Sequence, residues 1–260
     1  MTSELNDLKA EPRLWIDGVW TDGSGAATVT NPATGVSLAE VQRGSADDVR
    51  RAIDGAQRVF PTWSRTPSAT RGEILKRAAA LMAARRHTLA ALLTREQGKP
   101  LSQALGEVDY AASFFQWFGE EARRLCGRIQ PHPTPGFEYL VQPFPAGVAG
   151  LITPWNFPLA QGAKKVAAAL ASGCTAVWKP AELTPLIALA LAPLLAEAGL
   201  PAGVLQIVPA PGRLVGDLFT NDARLRVLSL TGSTETGRAL AAAAARHFPR
   251  LSLELGGNAP

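Results

Sequence analysis

The sequence has 260 residues, 47% of them apolar and 18% charged, which suits a packed core and excludes a disordered chain. Its net charge is +4, but the basic residues fall as singles and doublets such as Arg50-Arg51 and Arg85-Arg86. Without a basic stripe interleaved with aromatics, no nucleic-acid partner is expected.

The first residues, "MTSELNDLKAEPRL", contain no apolar run of signal type. The longest apolar stretch, Leu186 to Ala196, contains Pro193 and is too short to span a membrane. The expectation is a cytoplasmic protein without a membrane partner. The two cysteines, Cys126 and Cys174, lie too far apart for a disulfide framework or a zinc site, and no metal is expected.

In chain order, "LWIDGVWTDGSG" reads as a hairpin and "NPATG" as a turn. Ser45 opens a helix with Asp48 three residues on, a capping-box pattern, and Val49, Ala52, Ile53 and Ala56 share one face. Ser68 opens a second helix with the stripe Leu75, Ala78, Ala79 and Met82. A third stops at Gly98. A fourth, about Leu101 to Leu125, carries Phe114, Phe115, Trp117 and Phe118. Residues 128–146 hold five prolines and no helical period, so extended strands or a protruding ribbon are predicted.

From Gly147 short apolar strands alternate with helices: "GVAGLIT", "CTAVWK", "GVLQIV", "LRVLSL" and "RLSLEL" are the strands. "TPLIALALAPLLAEAGL" reads as one helix with Pro185 in its first turn. Such alternation predicts an α/β fold: an N-terminal helical region (1–127), a ribbon (128–146) and a Rossmann-like, mostly parallel sheet with helices on both faces (147–260). Ligands of such sheets bind beyond the carboxyl ends of the strands. The last strand, Leu251 to Leu255, reads as buried, and its Glu254 carboxylate is costly there without a partner or a task.

Three segments at strand ends carry chemistry. "TGSTETG", Thr231 to Gly237, follows a strand and opens a helix whose first amides suit a phosphate, or is a glycine turn with a Ser/Thr cap. In "WKPAE", Trp178 to Glu182, a lysine and a carboxylate can meet ribose hydroxyls or form a surface ion pair. "TPWNFP", Thr153 to Pro158, is a proline-stiffened loop. Its Asn156 amide can stabilise an oxyanion or serve only the turn.

Together and in this order, "ITPWNFP", "GCTAVWKPAELTP", "LSLTGSTETG" and "LELGGNAP" resemble the aldehyde dehydrogenase superfamily, supported by "REQGKP" and "NPATG". The texture is most similar to the succinate-semialdehyde dehydrogenase branch. The resemblance implies NAD(P)-dependent oxidation of an aldehyde to an acid through a thiohemiacetal and thioester on a cysteine.

By that resemblance Asn156 is the side-chain half of the oxyanion hole, and Glu254 is a partly buried general base. Ile152, Thr153, Pro154, Trp155 and Asn156 line the cofactor. Lys179, Pro180, Ala181 and Glu182 meet the adenosine ribose. Gly212 and Gly216 lie near the adenosine end, Thr231, Gly232 and Ser233 near the pyrophosphate, and Leu255 and Gly256 near the nicotinamide. Lys164 stands where the branch has an arginine for a substrate carboxylate. Glu182 disfavours a 2′-phosphate, so NAD is expected over NADP. A homo-oligomer, dimer or tetramer, is implied for the complete protein.

The family's nucleophilic cysteine lies in a Gly-Gln-x-Cys motif that the sequence lacks. Cys126 and Cys174 have no motif and no adjacent basic residue in sequence, and both read as structural. The expectation is a chain without the catalytic domain, inactive alone. The alternative is a non-catalytic NAD-binding module or truncated remnant that assembles with a full-length relative.

Overall fold

The computed structural model describes residues 3–258. A short helix, α1 (Ser3–Asp7), precedes β1 (Leu14–Ile16) and β2 (Val19–Thr21). Asp17 (φ +55°) and Gly18 (φ +80°) both turn through the left-handed region, the geometry that matches the twist of a two-residue hairpin. β3 (Gly25–Thr30) and β4 (Ser37–Arg43) form a second antiparallel pair. The expected turn joins them: the Asn31 side chain accepts from the Ala33 amide at 2.9 Å.

Ser45 caps α2 (Ala46–Arg65) as expected: its hydroxyl accepts from the Asp48 amide at 3.2 Å, and its own amide donates to the Asp48 carboxylate at 2.8 Å. α3 (Ser68–Ala84) starts one residue after its cap position, Pro67. α4 (Arg86–Gln97) ends at Gly98, φ +91°, whose amide donates to Thr94 O. α5 (Leu101–Glu121) gives way to a short 3-10 turn over Ala122–Arg124, so the helix ends before Leu125. Of its aromatic residues Phe115 is buried and Trp117 is exposed. β5 (Arg128–Pro131) and β6 (Glu138–Val141) then form an exposed two-stranded ribbon.

The main sheet contains β7 (Val148–Ile152), β8 (Thr175–Lys179), β9 (Leu205–Ile207), β10 (Leu225–Thr231) and β11 (Arg250–Glu254), all parallel. Its order is β11-β10-β7-β8-β9-β1-β2. The N-terminal hairpin therefore completes the sheet, with Trp15 antiparallel to Ile207. The crossovers are α6 (Pro158–Ala171), α7 (Pro185–Leu189), α8 (Leu191–Glu197), α9 (Gly212–Asn221) and α10 (Thr234–Ala244). The single helix expected over 184–200 is two: Pro193 has no amide hydrogen to return to the preceding turn, and the ladder breaks at Ala190.

Alternation along the strands sorts two cores. Val148, Val177 and Leu228 pack with α2, α9 and α10, while Ala149, Leu151, Ala176 and Trp178 pack with α3 to α8. Gly162 on α6 has no room for a Cβ because the Trp178 ring fills that place.

One expectation fails at β11. The strand is not buried; only Leu253 is half-covered. The cause is sheet order: among the described residues β11 is an edge strand with β10 as its one strand neighbour.

Candidate functional site

The chain runs from β7 outward through β8 to β9, then returns to β10 on the other side of β7. The loops after β7 and β10 thus part at a topological switch point, where open α/β sheets bind ligands. A cleft of about 650 Å³ opens there, on the α9 and α10 face. Ile152, Pro154, Trp155, Lys179, Gly212, Gly216, Thr231, Gly232 and Ser233 all line it, with Arg213 and Asp217.

Other expected residues lie around the cleft rather than in its wall. Thr153 is buried, and its hydroxyl accepts from the Trp178 indole at 2.9 Å, which fastens the loop to β8. Pro180 and Ala181 are buried at the end of β8. Glu182 borders a neighbouring cavity of about 290 Å³ with Trp155 and Glu96. Leu255 and Gly256 are exposed beyond β11. The Gly232 amide donates to the Glu254 carbonyl at 3.0 Å, and Ser233 Oγ caps the first turn of α10 at this rim by accepting from the Thr236 amide at 3.2 Å.

Gly212 and Gly216 leave their part of the cleft wall without side chains. A Cβ on Gly212 would stand 3.7 Å from Lys179 Nζ at the mouth, and one on Gly216 would stand 4.0 Å from Leu240. Lys179 is buried, which lowers its pKa; Glu182 opposes that shift and Arg43 adds to it. The cleft therefore fits a phosphorylated nucleoside, with a cation at its mouth and two helix starts on its rim.

The opposite face of β10 bears a second cavity, about 280 Å³, lined by Leu151, Lys164, Lys165, Cys174, Ser229 and Glu254 among others. Ser252 and Glu254 point to this side because Leu253 points to the other. The Glu254 side chain is 55% exposed and pairs with Lys164 Nζ at 3.3 Å. The partly buried carboxylate expected here is corrected to an exposed one, for the same reason that β11 is exposed.

Lys165, which the motif reading passed over, is buried, and its ammonium donates to Ser229 Oγ at 2.7 Å. Burial pulls its pKa down to about 8; Glu254 opposes this and Lys164 reinforces it. Such an amine exchanges a proton near neutrality. The signal was a lysine on the apolar stripe of an alanine-rich helix.

Asn156 is exposed on the loop from β7 to α6. Its side-chain oxygen accepts from the Phe157 amide at 3.1 Å, which leaves the amide nitrogen as the outward donor. A buried pair holds this loop. Lys99 Nζ donates to the Asn156 carbonyl at 3.0 Å, stands 4.1 Å from the Phe157 ring centroid and bonds the Glu107 carboxylate. Glu107 in turn accepts from the Leu159 and Ala160 amides, at 3.0 and 3.2 Å, and so caps α6. Neither residue was singled out in sequence, because their partners lie far along the chain.

Cys126 is exposed and Cys174 buried. The structure brings a basic residue absent from the sequence context next to this turn: the Arg71 guanidinium lies 3.3 Å from where a Cβ on Gly173 would stand, and Arg71 donates to Ala171 O at 3.1 Å. Cys174 and Glu254 nevertheless sit at opposite ends of the sheet. Strand register places Glu254 level with the end of β8, roughly 20 Å along the strands from Cys174.

A family model described as the aldehyde dehydrogenase family matches residues 20–260. The chain belongs to the aldehyde dehydrogenase family. It is 47% identical over 260 residues to succinate-semialdehyde dehydrogenase (NADP(+)) GabD of Escherichia coli K12, covering 99% of this chain and 54% of that protein. It is 45% identical, with the same coverage, to glutarate-semialdehyde dehydrogenase of Pseudomonas aeruginosa PAO1. A crystal structure of an E. coli NADP-dependent enzyme superposes with a TM-score of 0.96 at 45% identity, covering 98% of this chain and 53% of that one. The chain spans about half the length of the curated relatives it matches. Among the described residues no helix is long and apolar enough to cross a membrane.

Proposed function

We propose that this chain is the cofactor-binding part of an NAD(P)-dependent aldehyde dehydrogenase that oxidises an aldehyde to a carboxylic acid through a thiohemiacetal and thioester. The observation that carries this reading is the switch-point cleft, whose wall contains residues of the β7, β8 and β10 end motifs together. The bound nicotinamide would supply the hydride acceptor. The chain's own groups position and polarise: the Asn156 amide donates to the developing oxyanion, and Glu254 takes the proton of the hydrolytic water. Thr153, Pro180, Ala181, Leu255 and Gly256 complete the cofactor surroundings by packing around the lining residues.

The substrate class proposed is an aldehyde with a second, anionic end. Support comes from Lys164, half-exposed in the cavity that also holds Glu254. An ammonium attracts a carboxylate there without the bidentate fork of an arginine. NAD is proposed over NADP by about tenfold, because Glu182 repels a 2′-phosphate across a solvent-screened gap. The division into 1–127, 128–146 and 147–260, assembly as a homo-oligomer through the ribbon, and a cytoplasmic location belong to the same proposal.

The 260-residue chain alone is proposed to be inactive on aldehydes, since neither of its cysteines lies beside Glu254 and Asn156. The test pairs this chain with a chain that continues past Pro260, each assayed with succinate semialdehyde and NAD. Turnover only in the longer chain supports the reading. Turnover in the shorter chain that disappears in Cys174→Ser overturns it.

A further inference from the structure

The neighbourhood of Glu182 contains a cation that no strand-end motif supplies. Arg43 ends β4, in the small sheet apart from the cofactor strands. Its position is fixed by the next residue: the Gly44 amide donates to Pro209 O at 2.8 Å, just past β9. From there the Arg43 guanidinium pairs with Glu182 Oε2. The other oxygen, Oε1, accepts from the Gly212 amide at 3.1 Å and lies 4.0 Å from Lys179 Nζ. Arg213 lines the same cleft mouth. One carboxylate thus pairs with two cations, Arg43 and Lys179, where an adenosine ribose would lie.

We infer that Arg43 is a specificity-determining residue that keeps the 2′-phosphate of NADP admissible. The inference rests on the cofactor reading above and deepens it. Glu182 alone would exclude the phosphate by like-charge repulsion. Arg43 cancels part of that charge, and its planar fork can transfer from the carboxylate to a phosphate, a stronger bidentate acceptor. Its side chain is 37% exposed, so the transfer requires no buried group to move. Arg43 and Glu182 then act in opposite directions on one ratio.

The test is calorimetry on the 260-residue chain with NAD, NADP and, as a fragment probe, 2′,5′-ADP against 5′-ADP. Arg43→Gln is expected to weaken NADP and 2′,5′-ADP about tenfold more than NAD and 5′-ADP, with Arg43→Lys between the two and Glu182→Ser shifting the ratio the other way. The selective loss should shrink at high salt. If Arg43 only holds Glu182 in place, its loss frees the carboxylate, and NAD falls as much as NADP or more; that outcome overturns the inference and leaves the cofactor site standing. Failure of the unsubstituted chain to bind either nucleotide overturns the cofactor reading and this inference with it.

Discussion

The Lys99 ammonium and the Glu107 carboxylate form a buried ion pair, 8% and 0% exposed, that holds both ends of the Asn156–Ala160 segment. Lysine fixes the loop carbonyl and carboxylate fixes the first amides of α6. The donor end of Asn156 is therefore aimed by two residues that line neither the cofactor cleft nor the cavity behind it.

Breaking one half of such a pair leaves an uncompensated buried charge. Lys99→Met is expected to destabilise the chain by about 3–5 kcal/mol, read from urea unfolding. Adding Glu107→Gln removes the orphan charge and keeps an acceptor for the α6 amides, so the double variant should recover part of the loss. A double variant no more stable than Lys99→Met would contradict this account of the pair.

Two buried groups give stability a pH dependence of opposite signs. Glu96 accepts from the Leu186 and Ile187 amides at 2.5 and 2.9 Å, yet burial pushes its pKa up to about 8 from 4.5. The folded state holds that proton longer than the unfolded chain does, so stability falls as pH rises through this window. Lys165, down at about 8 from 10.5, does the reverse: the unfolded chain holds more protons above pH 8, and stability rises. Each contribution is of the order of 3–5 kcal/mol across its window. Urea unfolding from pH 5 to 10 should show a flattened fall in Glu96→Gln and a flattened rise in Lys165→Met. Unchanged profiles in both variants would rule out the two assignments.

The ribbon presents Ile129, Leu140 and Phe144 at 65%, 75% and 76% exposure. Apolar surface of this kind on an unpaired two-stranded ribbon promotes association. Size-exclusion chromatography with light scattering is expected to show oligomers at micromolar concentration, shifted toward monomer by Ile129→Lys with Leu140→Lys. A concentration-independent monomer for the unsubstituted chain would be the contrary result.

Local chemistry made much of this legible in sequence. Ser45 and Gly98 mark helix ends through their own hydrogen bonds or dihedrals. The alternation after Gly147 fixes a parallel sheet, and with it the side on which "TPWN", "KPAE" and "TGS" emerge. What was hidden depends on sheet order or on distant partners. "RLSLEL" has the composition of a buried strand, and nothing within it says that it sits at an edge. β3, "GAATVT", contains only one fully buried residue, Val29, so its pattern was too weak to read as a strand. Arg43 with Glu182 and Lys99 with Asn156 meet only after the chain has folded, and a pass along the sequence cannot pair them.

The central claim is that the cleft between the β7 and β10 loops is a dinucleotide site formed by this chain alone. Calorimetric titration of NAD into the 260-residue protein tests it most directly, alongside Gly212→Leu. That substitution keeps an ordinary helix-start conformation and projects a side chain toward Lys179 at the cleft mouth. The account predicts saturable one-site binding, weakened more than about tenfold in Gly212→Leu while the unfolding midpoint stays the same. Absence of NAD binding, or binding that Gly212→Leu leaves untouched, would contradict it.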